Sequence, residues 1–400
     1  MKKSALLSLI VYLGLMAGIV PSAGAGDSSG PQTRPFAFGR GSGPQGHNSA
    51  LGSPSPTQTS ALGAPSPSQG FAFTDKVVLA YYYIWFNENN WIQTATEGGR
   101  KEGLEGLHPF VGAYNSWDPT IIEKHMQQMN RALIDALAVS WWYDTKANGP
   151  NAILDLVFEK AAAHNLKITI DYEHGRAPLE TVDHDLLYFL NRYKDHPAML
   201  KVEGRPVVMI WTAWGHTPAE WQGVFDRLEK AGIKTFPIMS GSYQNGKGKA
   251  YLGPFRALEE YTLVDIEDCQ LADFMKAMRG HIDDYNKTQG FQNGKPAQHH
   301  ATISPGYDET RNPGRKTKNG GFKGAGWKDR TKFGVNYPDD PEGAYYRGTF
   351  EAALSSHPDW LHISTFNELA EFSHIEATFE HGYKYIDLTA QFVKEFKNRK

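Results

Sequence analysis

Three observations in the sequence predict an α/β protein built as a closed (β/α)8 barrel. Short apolar runs alternate, eight times between residues 71 and 400, with segments whose apolar residues recur at helical spacing. The runs are continuously apolar, as strands buried on both faces require. The first run continues into "FNENNW" without the glycine-rich turn that an open doubly wound sheet would use to hold a nucleotide.

Lys76–Phe86 (KVVLAYYYIWF), rich in β-branched and aromatic residues, is the expected first strand. Asp118 suits a helix cap and Pro119 the first helical position, and Ile122, Met126, Met129 and Leu133 then share a face. Asp135–Trp142 is the second strand, and Ile153, Leu156, Val157 and Ala161 mark the helix leading to the third, Leu166–Glu173. A helix carrying Leu186, Phe189, Leu190 and Tyr193 precedes the fourth strand, Arg205–Trp211. Trp221, Val224, Phe225 and Leu228 mark another helix, stopped by Gly232, before the fifth strand, Lys234–Gly241. Tyr261–Glu267 (YTLVDIE) is the candidate sixth strand, followed by a helix bearing Leu271, Phe274, Met275, Met278 and Ile282. His299–Tyr307 is the seventh. An insertion rich in glycine and lysine, residues 312–336, separates it from a helix around Tyr346, Phe350 and Leu354. Trp360–Glu368 is the eighth strand, and Tyr385, Leu388, Phe392 and Phe396 mark the last helix.

Upstream of residue 71 the composition changes. Lys2 and Lys3 precede an apolar stretch, Ala5 to Val20, and a small-x-small site at Ala23 and Ala25, so residues 1–25 read as an export signal. Residues 26–70 are Gly, Ser, Pro, Gln and Thr with scattered Phe, a composition expected to remain a disordered linker. The single cysteine, Cys269, excludes an internal disulfide and lies far from any lipid-attachment position. A secreted or periplasmic monomer without a membrane anchor is therefore expected. With 41 basic and 44 acidic residues the net charge is −3, too small to attract nucleic acid. The 10 Trp, 19 Tyr and 21 Phe are more telling. Aromatic rings present apolar faces to the C–H faces of sugars, so an oligo- or polysaccharide is the expected partner.

Barrel enzymes work at the C-terminal ends of their strands. That rule selects Tyr83 and Trp85, Trp141 and Trp142, Glu173 and His174, Trp211 and Trp214, Asp265 and Glu267, Tyr307 and Asp308, and Glu368 and Glu371. Glycosidic cleavage needs two carboxyls with different protonation states, and Glu368 and Glu371 are the natural pair. Their spacing also occurs at ordinary helix starts, where acids are favoured. A metal reading would use His299, His300 and Asp308 with His174 or His125. The paired histidines begin their strand, however, at the end away from the expected chemistry. The basic insertion reads as a solvated loop over the cleft rim.

The segment "AYNSWDPTIIEKHMQQMNRALIDALAVSWW" resembles the stretch after the first strand in glycoside hydrolase family 99, the endo-α-1,2-mannosidases and mannanases. "NLKITIDYE", "YKDHPAMLKVEGRPVVMIW", "SPGYDETR" and "TFNELAEFSHIE" resemble later segments of that family in order, from Val77 to Leu388. The resemblance implies a retaining glycoside hydrolase acting on α-mannosidic linkages without a metal or organic cofactor. It assigns Glu368 to the base that deprotonates the substrate's own 2-hydroxyl, giving a 1,2-anhydro sugar. Glu371 corresponds to the acid that protonates the leaving oxygen and then activates water. Glu173 corresponds to a sugar-binding carboxylate. Tyr81, Tyr83, Trp85, Trp141, Trp142, Trp211, Tyr307 and Asn367 complete the expected substrate-binding set, and Glu376 is expected to be structural. Leu369-Ala370 stands where the family has Trp-His, and Phe372 where it has Gly, which leaves an α-1,3-glucanase-like enzyme or a non-catalytic glycan-binding barrel as alternatives.

Overall fold

The computed structural model describes residues 70–86, 108–147, 149–241, 244–308, 327–333 and 342–399. The export signal, the linker up to residue 69, and residues 312–326 and 334–336 of the insertion lie outside the described residues.

Eight parallel strands follow in chain order: β1 (Val77–Tyr82), β2 (Ala136–Trp141), β3 (Lys167–Tyr172), β4 (Arg205–Trp211), β5 (Phe236–Ser240), β6 (Ala257–Glu259), β7 (Gln298–Ile303) and β8 (Trp360–Ile363). Each pairs with the next, and β8 returns to β1 in the register Val77↔Trp360 to Ala80↔Ile363, so the sheet is closed. A two-residue strand, Lys201–Val202, folds back antiparallel on the start of β4. The helices are α1 (Pro119–Arg131), α2 (Pro150–Ala163), α3 (Leu179–Tyr193), α4 (Pro218–Lys230), α5 (Asp268–Tyr285), α6 (Ala344–Leu354) and α7 (Lys384–Asn398). After β5 a 3-10 segment, Gln244–Tyr251, takes the helix position. Local chemistry sets the helix starts. Asp118 accepts the Thr120 N–H at 2.8 Å ahead of Pro119, and Thr217 and Glu220 form a reciprocal capping box before α4.

Two differences from the sequence expectation have physical reasons. The sixth strand is Ala257–Glu259, not Tyr261–Glu267. Three residues are too few to show a period, whereas the β-branched loop that follows mimics a strand. Asp265 and Glu267 therefore stand on an exposed loop, with Glu267 at the cap of α5. Strands one, seven and eight also stop earlier than expected, because their apolar composition continues into the loops at the barrel mouth.

Side chains alternate along each strand. Val77, Leu79 and Tyr81, with Ala136 and Ala138, join the interior cluster, whereas Val78, Ala80 and Tyr82, with Leu137, Val139 and Trp141, pack against helices. The interior floor is aromatic. Phe236 stacks on Trp360 at 6.4 Å and meets Phe73 edge-on at 6.3 Å. Further along the strands the inner positions become polar: Asp171, Ser240, Glu259, Thr302 and His362, all buried.

The floor depends on Phe236. Phe236→Ala is expected to lower stability by about 3–5 kcal/mol, the range for emptying a buried phenylalanine site, as measured by denaturant unfolding.

Candidate active site

The chain leaves β8 through a cis Ser364–Thr365 peptide and turns across the barrel mouth. The Glu368 N–H donates to Thr365 Oγ1 at 2.8 Å. Glu368 then caps one 3-10 turn, Leu369–Glu371, by accepting the Ala370 N–H on Oε1 at 3.1 Å. Phe372 ends the turn in the left-handed region, at φ 52°. Both acids are nearly sealed, at 4% and 6% exposure. They also share a neighbour, Tyr261, whose phenol is pushed well above its usual range by burial, then by Glu371 and, less strongly, Glu368. Both carboxyls thus act electrostatically on one phenol.

Three attachments hold this loop. Asn367 Oδ1 accepts the Tyr83 N–H at 2.8 Å, and its Nδ2 donates to the Tyr83 carbonyl at 2.9 Å and to Tyr114 Oη at 3.2 Å. Glu376 is wholly buried. Its carboxylate meets His125 Nε2 at 3.2 Å and accepts Tyr114 Oη at 3.1 Å, while His125 Nδ1 lies 3.0 Å from Tyr82 Oη. His125 thus links Glu376 to Tyr82 through its two ring nitrogens. On the other side, Arg330 Nη2 donates to the carbonyls of Phe372 at 2.6 Å and His374 at 2.9 Å. Glu376 thus ties the loop to α1 through His125.

The cleft wall is aromatic. Tyr83 Oη is 2.7 Å from Tyr261 Oη, and Tyr83 packs on Trp85 at 4.5 Å. Trp85 continues to Trp142 at 6.5 Å and Trp142 to His174 at 6.3 Å, while Trp211 meets Tyr261 edge-on at 5.2 Å. Glu173, at the end of β3, accepts the Ser140 hydroxyl at 2.6 Å. Tyr307 sits half-buried beyond β7, in a two-residue pairing with Trp327–Lys328.

Beneath the cleft lies a layer of acids. Glu259 accepts Tyr81 Oη at 2.8 Å, Ser240 Oγ at 3.1 Å and the Thr302 hydroxyl. Burial pushes Glu259 up to about 7 against those bonds. Burial also pushes Glu173 up to about 7, opposed by Ser140. Asp171 rises well above the carboxylate range through burial first, then through Glu173 and Glu259.

Not every expected residue reaches the cleft. Trp141 faces outward by strand alternation, packing on Tyr172, Tyr188 and Phe189 with its Nε1 on Asn151 at 3.0 Å. Trp142 takes the cleft position instead. Tyr81 lies one layer down, bonded to Glu259 and Ser240, and Asn367 is wholly buried as a bracket between β1 and the acid loop. His299 and His300 point to opposite faces: His299 bonds Ser356 at 2.9 Å, and His300 stacks on Trp360 inside the barrel. They do not converge on Asp308. Tyr261, Glu259 and Asp171 are site-facing residues that the sequence reading missed. The misplaced sixth strand hid the first two, and alternation back from Glu173 would have found Asp171. Nothing in the sequence signals Arg330.

The sequence profile described as Glycosyl hydrolase family 99 matches residues 63–395. This chain belongs to that family. Among curated proteins, the glycoprotein endo-alpha-1,2-mannosidase of Mus musculus is 26% identical over 295 residues, covering 68% of this chain and 56% of the relative. The Xenopus laevis protein of the same name is 25% identical over 288 residues, covering 68% of this chain and 58% of its own length. The chain thus spans little more than half the length of these curated relatives. The solved GH99 endo-alpha-mannosidase of Bacteroides thetaiotaomicron is 20% identical with a TM-score of 0.61, covering 82% of this chain and 98% of that one. That likeness shows the shared barrel fold. In this family 99 chain the paired acids, Tyr261 and Glu173 occupy one end of the barrel, where its chemistry is expected.

The acid layer makes a pH prediction. Glu173 and Glu259 keep protons up to about pH 7, whereas ordinary glutamates release them near 4.5. Between those values the folded chain binds more protons than the unfolded one, so stability falls as pH rises through this window. Thermal melting is expected to show a lower Tm at pH 8 than at pH 5, and Glu259→Gln is expected to reduce that difference. An unchanged difference would exclude Glu259 as a source.

Proposed function

We propose that this chain is an exported glycoside hydrolase that cleaves α-mannosidic linkages within a glycan and retains anomeric configuration. Glu368 removes the proton of the substrate's 2-hydroxyl. That oxygen bonds to its own anomeric carbon as the glycosidic bond breaks, and Glu371 protonates the departing oxygen. Glu371 then takes a proton from the water that opens the 1,2-anhydro sugar, and Glu368 returns its proton to the 2-oxygen. The observation that supports this reading is the single 3-10 turn after β8 that carries both buried acids, Glu368 at its cap and Glu371 at its end. The Ala370 N–H on Glu368 supports negative charge on that side chain, as a base requires. In this reading Glu173, held by Ser140, accepts a substrate hydroxyl. The choice of an α-mannoside rests on the names of the relatives. Export rests on the basic, apolar and small-residue pattern of residues 1–25.

The test is reducing-end release from a panel of α-mannans and α-glucans, with the anomer of the first product read by NMR. Glu368→Gln and Glu371→Gln are each expected to lower kcat/KM by about 10²–10⁴-fold, the usual contribution of a general acid or base, with Tm little changed. Ordinary turnover in either variant would overturn the assignment of that residue. Release from α-1,3-glucan alone would replace the substrate class while keeping the pair.

A further inference from the structure

The loop that carries Glu173 and His174 continues into a guanidinium to which the reaction above gives no role. Arg176 lies over the Trp214 ring, 3.9 Å from its centroid. Trp214 stands on the short 3-10 turn Ala213–Gly215 after β4, at the same end of the barrel as the paired acids. The two loops are fitted to each other at three successive residues. A Cβ on Gly175 would fall 2.1 Å from the Trp211 carbonyl oxygen, and one on Gly215 would fall 2.5 Å from Arg176 Cγ. His216 Nε2 bonds the Ala177 carbonyl at 2.8 Å. The path of Arg176 across the tryptophan is therefore built into both backbones.

Its charge is not offset. Among the described residues Arg176 has no ion pair or hydrogen bond, and partial burial alone lowers its pKa. Its side chain is otherwise exposed at the rim. Stacking uses the flat face of a guanidinium and leaves its edge, with N–H donors in a fixed fork, open to a ligand. That fork matches two oxygens of a carboxylate or phosphate, and ordering it in advance reduces the entropy lost on binding. A neutral sugar offers that fork hydroxyl oxygens but no charge.

We propose that Arg176 is a specificity-determining residue that binds an anionic substituent, a phosphate or a carboxylate, on the glycan held in the cleft. This rests on the hydrolase reading of that cleft. The test uses the full chain and three α-manno-oligosaccharides of equal length and linkage: one neutral, one bearing a 6-phosphate, one containing a uronic acid. The parent is expected to favour one charged substrate over the neutral one in kcat/KM by about tenfold or more, the scale of one charge-assisted contact. Added salt should weaken the preference. It should vanish in Arg176→Ala and persist in part in Arg176→Lys, and the favoured arm identifies the anion. Equal kcat/KM across the three substrates would overturn the proposal, as would a preference that survives Arg176→Ala. If no substrate is cleaved, the hydrolase reading fails separately. Calorimetric binding of the same three sugars, with and without Arg176→Ala, then decides the role of Arg176: a charged-sugar preference lost in the variant supports it, and any other result overturns it.

Discussion

Closing a parallel sheet on itself gives each strand one face toward a sealed interior and one toward the helices, and this chain's chemistry depends on what it places on the inner face. The floor positions are Val77, Phe236 and Trp360, which belong to the interior apolar cluster. Further along, the inner positions are Asp171, Glu259, Ser240, Thr302 and His362, with Glu173 above them. No described ion pair reaches any of the three carboxyls, and carboxyls crowded in a dry space cannot all ionise. Holding protons resolves the conflict. A protonated layer also limits negative charge beneath the cleft where the proposed mechanism needs an ionised base.

The second requirement is a fixed acid loop. Its attachments grip the backbone beside the acids. Asn367 copies a strand edge by pairing with both backbone groups of Tyr83. Arg330 draws in the carbonyls that follow the turn. Glu376, through His125 and Tyr114, ties the far end of the loop to α1 and to Asn367. The bonds from Tyr82 to Tyr83 form a connected chain around the loop, so a displacement at one point would strain the others. The network is buried and satisfied largely from within, which suits a part that must hold reacting groups to a fraction of an ångström.

Much of this was legible in the sequence because strands and helices of a barrel differ in period, and seven of the eight strands announce themselves by length and composition. Glu368 and Glu371 stand out as candidates for the same reason: they follow a clear strand, and barrel chemistry lies at strand ends. What escaped had specific causes. β6 has three residues, and no pattern can be read from three, so Glu259 and Tyr261 were displaced by the exposed Asp265 and Glu267. Trp141 and Trp142 are adjacent and chemically alike, and only the register of β2 decides which one faces the cleft. Arg330 reaches the loop from a segment with no regular pattern, a contact of long sequence separation that composition does not encode.

The two residues between the acids contribute to the turn in different ways. Leu369 is wholly buried and joins the interior cluster with Tyr83 and Phe86, so it anchors the turn from below. Ala370 contributes through its backbone, giving its N–H to Glu368. Neither offers a ring or a polar group to a sugar. The sugar-facing surface then falls to the opposite wall, where Trp85, Trp142 and Trp211 flank Tyr83 and Tyr261. In the proposed mechanism, proton transfer and sugar recognition are thereby carried by different elements. The loop after β8 needs only backbone geometry to set the acids, while the loops after β1, β2 and β4 are free to change what they accept.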